Sequence, residues 1–234
     1  MNTSQSEPCR ILVIAAHPDD EVLGCGGTIA RYASEGHQVH VAILGEGVTS
    51  RYVSRERVDS GLVDELQCHS RRVSELLGVK ELHTYSLPDN RFDTVPLIEI
   101  AKVIEGLVDQ LQPQIVYTQH GGDLNVDHEI VFRATLTAVR PLANKRVKGL
   151  YAYEVASSTE WAFQQFTPVF RPNLFVDISK TIDIKIKAMH FYEGEIRKAP
   201  HPRSPEVLRA IAQRWGSVAG VSAAEAFQCI YELN

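Results

Sequence analysis

The sequence predicts a doubly wound α/β fold with a mostly parallel sheet, and three observations carry that expectation. Apolar runs of strand length alternate with amphipathic stretches of helix length from Arg10 to about Val139. The first run, Arg10 to Ala16 (RILVIAA), is apolar beyond its first residue, as a strand buried on both faces requires. A polar cluster, His17-Pro18-Asp19-Asp20-Glu21, follows it directly, at the strand end where open α/β sheets gather their ligands.

The elements follow in order. A helix is expected from about Glu21 to Glu35, stopped by Gly36 as a C-terminal cap. His37 to Leu44 reads as the second strand, Arg55 to Leu77 as a long helix ended by Gly78, and Glu81 to Leu87 as the third strand. Pro96 to Leu111 places Ile98, Ala101, Ile104 and Val108 on one helical face. Gln114 to Thr118 is the fourth strand, and Asp127 to Val139 the next helix. Beyond Pro141 the pattern weakens. Strands are expected at Gly149–Val155 and Asn173–Ile178, and helices at Lys180–Tyr192 and Pro205–Trp215. No linker divides the chain, so one domain over 1–234 is expected: a core over 1–140 and a C-terminal extension over 141–234 that contributes to the pocket.

Composition narrows the function classes. A net charge of −5 argues against a nucleic-acid partner, which wants a basic footprint. The four cysteines, Cys9, Cys25, Cys68 and Cys229, form no C-x-x-C pair, so a reducing compartment is expected. The N-terminus lacks the basic and long apolar regions of a signal peptide, and no apolar run approaches the roughly 20 residues that span a bilayer. A cytoplasmic protein without a transmembrane segment is the expectation.

Strand ends collect a polar set: His17, Asp19 and Asp20 after the first, Glu46 after the second, Asp89 after the third, and His120, Asp123, Asn125, Asp127 and His128 after the fourth. Gly24, Gly26 and Gly27 suggest a dinucleotide fingerprint, but they fall inside the helix rather than in the turn. Carboxylates occupy the place of a pyrophosphate, and like charge there is repulsive. A cation suits the position better. Imidazole with carboxylate favours zinc or another first-row divalent ion over magnesium or calcium. Three protein ligands with an open position describe a catalytic site. His17 and one of the paired aspartates can converge from the turn, and His128 is the best-placed third ligand. Neighbouring side chains diverge, so the second aspartate stays free to accept a proton. The competing explanation, helix-starting acids that complement the macrodipole, accounts for Asp19–Glu21 alone but not for His17 and His128.

These residues resemble the LmbE-like (PIG-L) family of zinc deacetylases. Ala16 to Glu21 matches its A-H-P-D-D-E motif, Asn125-Val126-Asp127-His128 stands where H-P-D-H is usual, and Gly220 with Ala224-Glu225-Ala226-Phe227 is similar to its G…A-E-A-F ending. The resemblance implies a Rossmann-like three-layer sandwich that uses no dinucleotide. It implies one zinc ion per subunit on His17, Asp20 and His128, Asp19 as general base, and a homo-oligomer. It also implies a small-molecule or glycoconjugate substrate carrying an N-acetylated sugar of N-acetylglucosamine type, with acetate and a free amine as products. The usual first histidine of H-P-D-H helps hold the tetrahedral oxyanion, paired with the adjacent aspartate, here Asp127. Asn125 in its place can donate a hydrogen bond but cannot carry charge or deliver a proton. His120 and His201 are the histidines that could take over.

Other residues have blander readings. His37 and His40 sit three apart on a strand, face opposite sides and are expected at the surface or an edge. His69, His83 and His190 show no partners. Arg51 and Arg55 could bind a substrate anion, and Trp161 and Phe163 could stack on a sugar ring. No G-x-S-x-G or H-E-x-x-H occurs, which leaves serine-hydrolase and zincin readings unsupported. The alternatives are a zinc hydrolase or hydratase of a non-sugar substrate and a nucleotide-binding oxidoreductase on the same fold.

Overall fold

Residues 8–49, 60–141 and 147–233 are described by a computed structural model. Among them, seven strands form one sheet in the order β3-β2-β1-β4-β5-β7-β6. The elements run β1 (Arg10–Ala15), α1 (Asp20–Ser34), β2 (Gln38–Gly45), α2 (Ser60–Leu77), β3 (Glu81–Leu87), α3 (Leu97–Leu111), β4 (Ile115–Gln119), α4 (Val126–Ala138), β5 (Gly149–Tyr153), β6 (Leu174–Asp177), α5 (Ile182–Met189), α6 (Pro205–Ala219) and β7 (Ala224–Glu232). Strand β1 lies between β2 and β4, with Ile11 opposite Val39 on one side and Ile115 on the other, both parallel.

The unbroken apolarity of β1 follows from its place at the centre. Ile11, Val13 and Ala15 enter one core, shared with α1, α2 and α5. Leu12, Ile14 and Ala16 enter the other, shared with α3 and α4. Helices on both faces of the sheet give the expected Rossmann-like three-layer sandwich.

Past residue 147 the chain completes the same sheet. Strand β7 was not expected: it inserts between β5 and β6 and runs antiparallel to both. Ala224, Glu225, Ala226 and Phe227 are all buried, so the inside–outside alternation that reveals a half-exposed strand is missing. Helix α6 continues past Trp215 to Ala219 and stops at Gly220, whose φ of 76° suits a left-handed cap. The expected beginning of the second helix, with Arg51 and Arg55, lies outside the described residues. No described helix is long and apolar enough to cross a membrane.

The glycines of α1 act in packing. A Cβ on Gly24 would enter the Tyr153 ring of β5, and one on Gly27 would come within 2.8 Å of Ile178. Glu225 of β7 accepts hydrogen bonds from the Gly27 and Thr28 backbone N–H groups at 3.0 and 2.7 Å. Its charge is met by Lys185 Nζ at 2.6 Å, which also donates to Leu23 O. The A-E-A-F segment therefore ties β7 to the helix that begins at the polar cluster.

Candidate active site

The sheet order reverses at β1: the chain leaves β1 toward β2, while β4 lies on the other side. Loops after β1 and β4 diverge there and leave a crevice at their carboxyl ends. His17, Asp19 and Asp20 enter it from the first loop and the start of α1, and Asn125 and His128 from the second loop and the start of α4. The cavity holds about 430 Å³. A second cavity of about 270 Å³, lined by apolar side chains of α6 such as Leu208 and Ile211, shares none of this polar set.

Local geometry fixes the first loop. Asp19 adopts φ 106°, a conformation that L residues rarely take and that persists only where surroundings over-determine it. Its N–H donates to Glu21 Oε2, and its carbonyl receives the first amides of α1, from Val22 and Leu23. Asp20 Oδ2 accepts from the His17 N–H at 2.9 Å and from Gln119 Nε2 at 3.0 Å. Gln119, the last residue of β4, gave no signal in the sequence.

Three donors converge. His17, Asp20 and His128 each offer an atom within 4.8 Å of the others, and His17, Asp89 and Asp127 do so as well. Hydrogen bonding separates the two sets. His17 Nε2 is 2.9 Å from Asp127 Oδ2 in a hydrogen bond, so Asp127 acts as the carboxylate that orients an imidazole from behind. Asp127 is fully buried, and its other oxygen accepts from the Phe92 N–H. By contrast, His128 Nε2 lies 3.2 Å from Asp20 Oδ2 and its Nδ1 lies 3.2 Å from Asp123 Oδ1. Neither contact has hydrogen-bond geometry, and both nitrogens are buried. A buried imidazole nitrogen facing a carboxylate without a hydrogen bond suits a cation shared between the two. The first set fits a divalent metal.

Electrostatics point the same way. Burial opposes charge on His128, but Asp20 and Asp123 outweigh it and push its pKa to about 9. Burial also works against the His17 imidazolium, yet Asp127 and Asp20 hold it well above the ordinary histidine range. Asp20 is driven well below the carboxylate range by His128 and His17 despite its burial. The carboxylates that raise both imidazoles are the ones a divalent ion there would compensate, with the histidines deprotonated as its ligands.

Asp19 differs. Burial raises it well above the carboxylate range, against the pull of Arg203. Arg203 Nη1 donates to Asp19 Oδ2 at 2.8 Å and to Glu195 Oε2 at 3.0 Å, and its Nε donates to Ser157 Oγ. The sequence assigns Arg203 no role of its own beyond its place in the proline-rich His201-Pro202-Arg203 loop. Its neighbour His201 was a catalytic candidate, but among the described residues Arg203 lines the cavity and His201 does not. His201 accepts the Arg203 N–H on Nδ1 and packs edge-on against Trp161. His120, the other histidine candidate, donates from Nε2 to Pro168 O at 2.7 Å and also stays out of the cavity.

Asn125 caps α4, accepting the Asp127 N–H on Oδ1 at 2.9 Å, while its Nδ2 donates to Asn90 Oδ1 at 3.0 Å. It lines the cavity, as do Asp89, Asn90 and Trp161. Glu46 instead accepts from Thr49 Oγ1. Asp123 lies behind His128, held by the Ser158 and Thr159 hydroxyls and the Asn125 N–H. Phe163 does not line this cavity. His40 corrects an expectation: it is buried, not at the surface, and lies beside Glu81 and His83.

Fold and site together define a class: a Rossmann-like protein whose crevice presents two histidines and an aspartate that could hold a cation, with a second aspartate beside them. The family model for PIG-L, GlcNAc-PI de-N-acetylase, matches residues 12–139, more than half of the chain, and the chain belongs to that family. A diacetylchitobiose deacetylase of Thermococcus kodakarensis is 27% identical over 237 residues, covering 94% of this chain and 83% of its own. A 1D-myo-inositol 2-acetamido-2-deoxy-alpha-D-glucopyranoside deacetylase of Mycobacterium sp. (strain JLS) is 27% identical over 245 residues, covering 87% and 79%. Among solved structures, the conserved protein TT1542 of Thermus thermophilus superposes with a TM-score of 0.74 at 26% identity, covering 97% of this chain and 96% of that one. The 4-carboxy-2-hydroxymuconate hydratase GalB superposes at 0.76 with 20% identity, covering 97% and 98%, which shows the shared fold alone.

Proposed function

We propose that the chain hydrolyses the acetamide of an N-acetylated amino sugar of N-acetylglucosamine type, releasing acetate and a free amine. The observation that carries this reading is the buried convergence of His17, Asp20 and His128 beside Asp19 in one polar cavity. Family membership and the deacetylases at 27% identity support it. His17, Asp20 and His128 would hold one zinc ion. A zinc ion there supplies a Lewis acid for the amide carbonyl and acidifies water from about 15.7 toward about 7.

The chain's own residues do the rest. Asp19 accepts the proton of the attacking water at its carboxylate, and Arg203 on Oδ2 aims that carboxylate and opposes the burial that raises its pKa. With His120 and His201 outside the cavity, Asp19 is also the group placed to return the proton to the leaving nitrogen. Burial, which raises its affinity for a proton, suits it to both halves of the reaction. Asn125 has two N–H donors; one goes to Asn90, and the other polarises the carbonyl oxygen as charge develops there. Asp127 positions His17 and does not touch the substrate. Trp161, partly exposed on the cavity wall, offers a face for a sugar ring.

The test is acetate release from free, nucleotide-linked and lipid-linked N-acetylhexosamines, with and without chelator. Metal-dependent acetate from one class is the expected result. The zinc-loaded protein releasing none from any of them would overturn the reading. Acetate as the readout also separates amide hydrolysis from the hydratase chemistry found on this fold.

A further inference from the structure

We propose that His40, Glu81 and His83 form a second site for a divalent transition-metal ion, which would clamp the edge strand β3 to β2. Strand pairing brings them together. His40 stands opposite Glu81 in the parallel register, and His83 lies two residues beyond Glu81, opposite Ala42. Residues two apart on a strand share a face, so all three side chains rise from one side of the sheet. The two imidazole rings stack with centroids 6.1 Å apart.

Two of the three donor separations are close to those of a coordination shell. Glu81 Oε2 lies 3.7 Å from His40 Nδ1 and 3.6 Å from His83 Nε2, and one donor from each residue lies within 4.8 Å of the others. Ligands about 2.1 Å from a tetrahedral ion sit about 3.4 Å from each other, so closing this shell needs movements of only a few tenths of an ångström along the carboxylate edges. Glu81, half exposed, can make them.

Hydrogen bonding does not explain the cluster. His40 Nδ1 and His83 Nε2, the two nitrogens that face Glu81, are both buried and both without a hydrogen-bond partner among the described residues. His40 as a residue is 6% exposed. Two orphaned buried nitrogens aimed at one carboxylate oxygen suit an ion shared among the three side chains. Two imidazoles and a carboxylate suit zinc, cobalt or nickel rather than calcium or magnesium. Glu81 also offsets the cations Lys80 and Arg10, which act electrostatically on His40.

The cluster is distinct from the cavity. His40 and His83 lie in the first halves of their strands, whereas the cavity residues follow strand ends. A link exists through β3, an edge strand paired to β2, because the loop after it supplies Asp89 and Asn90 to the cavity. The ion would hold the register of that strand.

Zinc titration of the demetallated full chain by calorimetry, with metal content of the dialysed protein, tests the site. Variants His83→Gln and Glu81→Gln, with wild-type circular dichroism as the folding control, are compared with the unmodified chain. Wild type should bind one equivalent more than His83→Gln, whether or not the cavity set is loaded. Glu81→Gln should weaken that extra event by at least about tenfold. Cobalt substitution should add a tetrahedral visible absorption that His83→Gln lacks. Equal stoichiometry in wild type and both variants would overturn the site. Since the count is independent of acetate release, it stands or falls separately from the proposed reaction.

Discussion

Arg203 Nη1 donates to Asp19 Oδ2 at 2.8 Å, joining residues 184 positions apart in the chain. The guanidinium lowers a carboxyl that burial raises. Replacing it by glutamine removes that opposition, so the acidic limb of the kcat/KM profile should move to higher pH while zinc content stays unchanged. We expect kcat to fall by about tenfold or more, with partial recovery in Arg203→Lys. An acidic limb that does not move would remove Arg203 from the positioning of Asp19.

Asp19→Asn tests the base itself. The variant should bind zinc as the parent does and lose about 10²- to 10⁴-fold in kcat. Full turnover in a zinc-replete variant would mean that the proton goes elsewhere.

Stability of the demetallated chain should depend on pH in a defined direction. His128 is raised from 6.5 to about 9 in the fold, so its contribution is fully present below about 6.5 and is lost as pH rises through about 9. His17 is raised in the same direction. The Tm of chelator-treated protein should therefore fall across that window, and the zinc-loaded protein should not follow it, because a metal ligand is already deprotonated. A flat Tm in the metal-free sample would contradict the charge pairing described for the site.

Asn125 has two separable duties. Asn125→Asp keeps an acceptor for the Asp127 N–H, so Tm should hold, while loss of the donor costs about 10²- to 10³-fold in kcat. Asn125→Ala loses the cap as well, at about 1 kcal/mol of stability. Equal activity in the aspartate variant and the parent would take the oxyanion role away from this side chain.

Lys185 and Glu225 form a buried ion pair, 6% and 4% exposed. Lys185→Met leaves Glu225 charged and uncompensated, which should cost about 3–5 kcal/mol in denaturant unfolding. Adding Glu225→Leu should recover only part of it, since Glu225 also accepts the Gly27 and Thr28 amides. A near-neutral single variant would show that the pair is not energetically coupled.

The polar turn was readable because its parts are contiguous. An apolar strand followed by His17, Asp19 and Asp20 states both the position and the donor chemistry within a few residues. Asn125 and His128 were readable at the next equivalent strand end, because the βα rhythm through β4 is regular. Strand β7 was not, since both of its faces are buried and no alternation survives. His40 read as a surface or edge residue and His83 as partnerless, because their meeting depends on the β2–β3 register, which no single segment encodes.

By itself, then, the sequence determined the layered fold, the strand ends that carry chemistry and the residue types offered to a cation, all of which follow from local periodicity and short-range spacing. Only the tertiary structure decided that Arg203 rather than His201 enters the cavity and that Asp127 stands behind His17. It also placed Gln119 against Asp20 and His40 beside His83. The physical reason is the same in each case. A side chain's direction, and the partner that burial forces on it, are set by packing between distant segments, where an unpaired polar group costs more than any local preference supplies.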